Sequence, residues 1–322
     1  MKAGRRFATL IVLALALAMP WLLSQSWLNT LIIAVLYAYL ASAWNIVGGF
    51  AGQFSLAHGL FFACGAYGST LLEQQEGVNP WLGMLISAAF AAALGAAIAW
   101  ISFRRSLPPL TFALVTLALG MLGLLGVSSS DAFGGAGGIS LPIGGGGLAE
   151  YRMPSDQATY YIILAHLLVV LAICVWIYEG RLGLYFRALR DSERGARAIG
   201  IDVLGYKMLA MAISAALTAA GGTFMARYLL FIDPPTFLGL DVVVQSILFA
   251  VVGGIGTIFG PLLGALILVP LSEALRAQLG SSFSGLYLVV YGAVLVLVIR
   301  LAPGGLVGIV YRMRARGSPG RA

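Results

Sequence analysis

Ten apolar stretches divide this chain of 322 residues, at 7–23, 29–47, 54–72, 81–101, 108–127, 158–178, 207–231, 242–253, 258–278 and 284–300. Most have the length of about 17 to 25 residues at which a helix crosses the hydrocarbon of a bilayer. Only 10% of the residues are charged, where a soluble domain carries about 25%. The expected fold is therefore all-α: a polytopic transmembrane helical bundle of about ten spans (eight to ten), forming a single domain over 1–322. Pro80, Pro108–Pro109 and Pro261 stand where helices would begin and where a missing N–H costs nothing. The 42 glycines follow no collagen period. In membrane helices small residues let backbones approach closely.

The opening MKAGRRFATLIVLALALAMPW reads as an uncleaved first span, with Trp21 and Trp27 as interface anchors. The competing reading is a signal peptide cleaved near Ala14-Leu15-Ala16 or Ala16-Leu17-Ala18. With the N-terminus in the cytoplasm and the spans alternating, 16 of the 19 Lys and Arg residues fall on the cytoplasmic side, leaving Arg152, Arg227 and Arg276 outside. The opposite orientation would break the positive-inside rule, so both termini are expected in the cytoplasm. The net charge of +7 then reports topology, and no nucleic-acid partner is expected. Cys64 and Cys174 lie in apolar stretches without pairing or metal-ligand spacing. They read as packing residues, and no metal site is expected.

Two long connections remain. Residues 128–157, containing DAFGGAGGISLPIGGGG, form an outer loop too rich in glycine to hold a helix, expected to tuck back over the bundle. Residues 179–206 form a cytoplasmic loop. Within and just beyond it, Arg187 to Lys207 carries eight charges in 21 residues. At about 2.5 to 3.5 kcal/mol for each charge placed at a helix centre, this segment stays out of the membrane. Leu189, Ala196 and Ile199 recur at helical spacing, with Ala188 and Ala198 nearby, while Arg190, Asp191, Arg194 and Arg197 take other faces. Gly200 then supplies a stop. The product is one short amphipathic helix with a small-residue apolar face. It is either a solvated loop helix or a helix that docks in a groove on another protein.

Several ordered blocks point to a family. Glu193, Ala196, Gly200 and Ile201 resemble the coupling loop of ABC importer permeases, and Leu184 to Asp191 resembles the stretch that precedes it. NIVGGFAGQFSLAHGLFFACGAY (Asn45 to Tyr67) and DPPTFLGLDVVVQSILFAVVGGIGTIFGPLLGA (Asp233 to Ala265) are similar to segments of branched-chain amino acid permeases of the LivM type. Pro303-Gly304-Gly305-Leu306 matches that family's closing motif. Ala57 departs from the family's usual Gly, and GGAGGI (Gly134 to Ile139) replaces a T-G-G-x-N-G-L-like stretch. The resemblance implies the permease subunit of an ABC importer for branched-chain or related hydrophobic amino acids, in the cytoplasmic (inner) membrane of a bacterium or archaeon. Relatives on the same scaffold import urea, short amides or aromatic acids. It also implies a second permease, two ATPase subunits and a periplasmic or surface solute-binding protein. Arg187, Arg190, Glu193, Ala196, Arg197 and Gly200 would form the ATPase-coupling surface, with Arg190, Glu193 and Arg197 as polar contacts and Ala196 and Gly200 allowing close approach.

What the chain lacks agrees with that division of labour. Its only lysines, Lys2 and Lys207, do not follow Gly, so no G-x-x-x-x-G-K-[ST] phosphate loop exists. No cofactor is expected on this chain; ATP and Mg would sit on partners. An ion-coupled transporter usually places carboxylates inside the membrane, whereas Glu273 lies near a span end. His166 is the one titratable group deep in a stretch, where a packing role or a proton relay stay open. Two separated histidines, His58 and His166, supply no catalytic cluster, so an enzyme is not expected.

VGGFAGQFSLAHG and VGGIGTIFGPLLG each follow a span on the inner side. Helices interrupted by Gly and Pro at matching places mark transport paths in other membrane proteins. The competing reading is helix-end turns that allow close packing. Gln53, Ser55, His58, Gly253 and Gly254 are the candidate path residues, the first three either lining the path or pinning the broken helix.

Overall fold

A computed structural model describes residues 14–105, 107–142, 147–151, 153–279, 286–301 and 304–308. Residues 7–13 of the first expected span, 284–285 of the last, Arg152, Pro303 and the basic residues at both termini lie outside the described residues.

A helix stands at each of the ten apolar stretches. In chain order they are α1 (14–22), α2 (Gln25–Asn45), α3 (His58–Glu76), α4 (Pro80–Arg104), α5 (Pro109–Ser128) and α6 (Asp156–Glu179). Two short helices follow, α7 (Arg181–Asp191) and α8 (Glu193–Ala198), then α9 (Val203–Leu229), α10 (Pro234–Leu238), α11 (Leu240–Gly254), α12 (Gly260–Leu279) and α13 (Leu286–Leu301). Seven of the described helical segments are long and apolar enough to cross a membrane, with α10 and α11 counting as one.

The starts are set by local chemistry. Asn79, Ser155, Ser192, Asp202 and Asp233 each accept a bond from a free N–H in the first turn of α4, α6, α8, α9 and α10. In lipid, where no water can serve those donors, such caps matter more than in a soluble helix.

The centre of the bundle is α2 and α9. The second half of α2 is buried almost without interruption, from Ala38 to Asn45. It packs against α6, α11 and α12, while α9 packs on α3 and α4. The α3–α9 approach is so close that a Cβ at Gly222 would lie 1.8 Å from the Phe62 carbonyl oxygen. Small residues therefore carry this seam, as hydrocarbon surroundings favour. Helix α5 is peripheral: among its residues only Phe112, Ala113 and Thr116 are buried.

At the end of the bundle opposite α7 and α8, the glycine-rich connection is more ordered than a bare loop. Its strand β1 (Ile139–Ser140) pairs antiparallel with β2 (Phe231–Ile232), putting Ile139 opposite Ile232. Tyr151 is fully buried there despite its left-handed backbone, φ 54°. Its ring lies 4.0 Å from that of Trp81, and Trp81 Nε1 donates to the Leu148 carbonyl at 2.9 Å. Arg227 is paired with Glu73 below this cap. The loop is stitched down by backbone bonds and aromatic packing, which side-chain composition alone does not reveal.

Candidate functional site

The charged stretch folds as two helices, not the one expected. The break falls at Ser192, whose Oγ accepts from Gly195 N at 3.1 Å and so starts α8 afresh. The apolar face is also oriented differently. Leu189 and Ala196 are buried against the chain's own bundle, Ala196 to 2% exposure, while Ile199 stands 75% exposed. An inward face was equally consistent with the helical spacing, because spacing says which residues share a face and not what covers it.

Beneath these helices α2 loses its regular winding. Residues Ile46–Phe50 form a π turn, a feature that recurs at functional positions in helices. Residues 51–57 are unwound, and α3 begins at His58. Three bonds hold this unwound stretch: Gln53 N donates to Val47 O at 2.9 Å, Leu56 N to Thr116 Oγ1 at 3.0 Å, and Trp44 Nε1 to the Ser55 carbonyl at 2.9 Å. His58 Nε2 lies 2.8 Å from Ser214 Oγ, and Ser214 donates its only proton to the Ala43 carbonyl at 2.7 Å. His58 must therefore be the donor, with a hydrogen on Nε2. His58 Nδ1 has no hydrogen-bond partner among the described residues.

The second interruption is tighter. Helix α11 ends at Gly254 and α12 begins at Gly260. Thr257 Oγ1 donates to Gly254 O at 2.7 Å and accepts from Gly260 N at 3.0 Å. A Cβ on Gly253 would sit 1.8 Å from the Gly260 carbonyl oxygen, so the hairpin closes only on glycine. Gly305, from the closing motif, packs on Gly254.

One side chain joins the two interruptions. Asn45 Oδ1 accepts from Gly256 N at 2.8 Å, and its Nδ2 donates to Thr257 O at 2.9 Å. The side chain crosses directly over Gly49, where a Cβ would meet Asn45 Oδ1 at 1.9 Å. Arg190 of α7 completes the joint. Its Nη1 donates to the Gly49 carbonyl at 3.0 Å, its stem lies on Gly52, and its guanidinium abuts Gly256. From α8, Glu193 pairs with buried Lys207 of α9 and makes a long contact to Gln53 Nε2 at 3.5 Å. Lys207 also faces the Phe103 ring at 4.1 Å, a favourable cation–π geometry.

The family model described as branched-chain amino acid transport system / permease component matches residues 26–299. The chain belongs to that family. It is 29% identical over 320 residues to the high-affinity branched-chain amino acid transport system permease protein LivM of Escherichia coli K12, covering 92% of this chain and 73% of that one. It is 27% identical over 305 residues to LivH of Salmonella typhimurium LT2, covering 88% and 95%. Among solved structures, PsaBC from Streptococcus pneumoniae in complex with a Fab overlays on 84% of this chain and 90% of that one, with a TM-score of 0.42 and 16% identity, too low a likeness to argue from.

In this permease family member the expected coupling residues divide into two groups. Arg197 and Gly200 are exposed, together with Arg194 and Ile199, which the sequence motif did not single out. Arg190, Glu193 and Ala196 instead connect the loop to the bundle. Arg187 turns back as well, donating to the Tyr178 carbonyl at 3.0 Å with its guanidinium 4.7 Å from the Tyr178 ring. Gln53, Ser55 and His58 are all buried and hydrogen-bonded within the interruption, while Gly253 and Gly254 shape the second hairpin. Asn45, Lys207 and Ser214 escaped sequence reasoning. Asn45 did carry a signal: it is the amide at the very end of an otherwise apolar span.

Proposed function

We propose that this chain is the membrane-embedded permease subunit of an importer driven by ATP hydrolysis on partner subunits, moving branched-chain or related hydrophobic amino acids. Both termini and the 179–206 loop face the cytoplasm. An ATPase docks on the exposed side of α7 and α8, through Arg194, Arg197, Ile199 and Gly200. A second permease and an external solute-binding protein complete the complex. Gln53, Ser55 and His58 hold the interrupted helix beside the path.

The observation that carries the reading is the Arg190 guanidinium bonded to the Gly49 carbonyl. A push on the loop is thereby delivered to the unwound part of α2, and through Asn45 to the α11–α12 hairpin. Switching between outward- and inward-facing states requires such a two-position element, biased differently by each partner. A hydrogen bond from a charged group contributes about 1.5 to 3 kcal/mol, so its loss shifts that equilibrium about 10- to 100-fold. Arg190→Ala in the complex reconstituted with its ATPase and binding protein is expected to keep ATP hydrolysis and lose at least about tenfold in amino acid uptake. Uptake equal to the native complex, at equal insertion, would remove Arg190 from the coupling route.

A further inference from the structure

Two of the cavities among the described membrane helices are distinguished by their polar groups. The larger, about 700 Å³, opens between α4 and α6 over α9. Its polar atoms are already engaged: Tyr39 Oη donates to Leu217 O, and His166 Nδ1 donates to Ile162 O while Nε2 accepts from Tyr151 Oη. It offers a solute only hydrocarbon.

The second cavity, about 480 Å³, lies between α3, α4 and α5. Two hydroxyls among its lining residues, Tyr67 Oη and Ser87 Oγ, are buried and have no hydrogen-bond partner among the described residues. Both residues are more than nine-tenths buried. Ser87 Oγ lies against Gly68, and the Tyr67 ring packs edge-on to Phe133. A buried polar atom left without a partner calls for an explanation; Thr70 and Ser102 are others, but Tyr67 and Ser87 are the two that line this cavity. The rest of the lining is apolar, including Leu60, Ala63, Leu71 and Phe90, while Gln75 and Glu76 stand at the exposed rim. Apolar walls, a few convergent polar groups and a volume within about 300 to 1,000 Å³ are the marks of a small-molecule site.

We propose that this cavity is a transit site for the solute itself. Resting on the permease reading above, the ligand is an amino acid with a branched aliphatic side chain. The side chain fills the apolar part, the polar end bonds the unpartnered hydroxyls that line the cavity, Tyr67 and Ser87, and the ammonium is turned toward the rim at Glu76. A phospholipid acyl chain is the other source of a branched or linear hydrocarbon at this depth, but it leaves both hydroxyls unbonded.

Cys64 lines the cavity, and Cys174 is buried elsewhere, which supplies a native reporter. In the full complex in nanodiscs, carrying Cys174→Ala, alkylation of Cys64 by a small maleimide is expected to slow at least threefold with L-leucine and not with L-glutamate. Tyr67→Phe and Ser87→Ala are each expected to raise the KM for leucine uptake about 2- to 10-fold, with ATP hydrolysis and insertion unchanged. A complex that transports leucine while Cys64 labelling and both KM values stay the same would overturn the site and leave the permease reading intact. Labelling that tracks acyl-chain composition rather than leucine would overturn it in favour of lipid. A native complex that takes up no branched-chain amino acid would instead overturn the proposed function, and this occupant with it.

Discussion

VGGFAGQFSLAHG and VGGIGTIFGPLLG align at their Gly-Gly pairs, yet the chain folds them into different objects. The first becomes a π turn and an unwound stretch over 46–57, whose backbone is held by side chains from α2, α5 and α9. The second becomes a tight hairpin held by its own Thr257 and by glycine packing against Gly260 and Gly264. Polar residues make the difference. Gln53 and Ser55 follow the first pair and give the unwound backbone partners at Ala51 O and Ala57 N, whereas the second pair is followed by Ile258, Phe259 and Pro261, which return the chain to helix. Among the described residues, only the first interruption is tied to the charged loop through a hydrogen bond. One is a hinge region open to command, the other a rigid post against which it bears.

That contrast breaks most visibly at the post. Gly253→Val places a side chain into the Gly260 carbonyl, and overpacking of this kind costs about 1 to 3 kcal/mol and occasionally more. With a backbone oxygen at 1.8 Å, the expectation lies at or above the upper end: loss of the monodisperse, folded permease in size-exclusion chromatography. A normally folded Gly253→Val protein would mean that the hairpin is not rigid. The next effect is at the joint. Asn45→Ala removes both bonds between the interruptions and leaves Gly256 N and Thr257 O short of a partner, at about 1 to 3 kcal/mol. Its melting temperature should fall by a few degrees, and uptake should drop while ATP hydrolysis continues. If stability falls but coupling does not, the two interruptions move independently.

The smallest effect concerns the loop. Glu193→Gln deprives buried Lys207 of its counter-charge. Because Glu193 is partly solvated, the cost is expected near about 1 kcal/mol, well below the 3 to 5 kcal/mol of a fully buried pair. Adding Lys207→Met should restore the melting temperature, since the stranded cation is gone. A double variant no more stable than Glu193→Gln alone would show that Glu193 acts through Gln53 instead.

Legibility differed by type of information. The apolar stretches announced the helices because a membrane admits little else of that length. The eight charges between Arg187 and Lys207 announced a segment outside the membrane, because burying them is costly. The glycine pairs marked the places but left open whether each was a broken helix or a helix-end turn. Ala196 was misread as an outward face: its spacing with Leu189 was read correctly, but the neighbour covering that face belonged to this chain. Arg190 and Glu193 were picked out by resemblance for contacts to a partner, and the structure gives them bonds to Gly49 and Lys207. Ser214 was silent, and the amide at Asn45 signalled a polar role but not its partners, since both act on residues more than 150 positions away.

The sequence by itself determined that this chain is an all-helical membrane protein, and its motifs pointed to the permease family, because hydrocarbon length, charge cost and ordered motifs are properties of the linear chain. Only the tertiary structure decided which Gly-Gly pair unwinds, which face of the loop is covered and which two hydroxyls are left waiting in a cavity. Those depend on packing between helices distant in sequence, where a side chain's meaning comes from what stands opposite it.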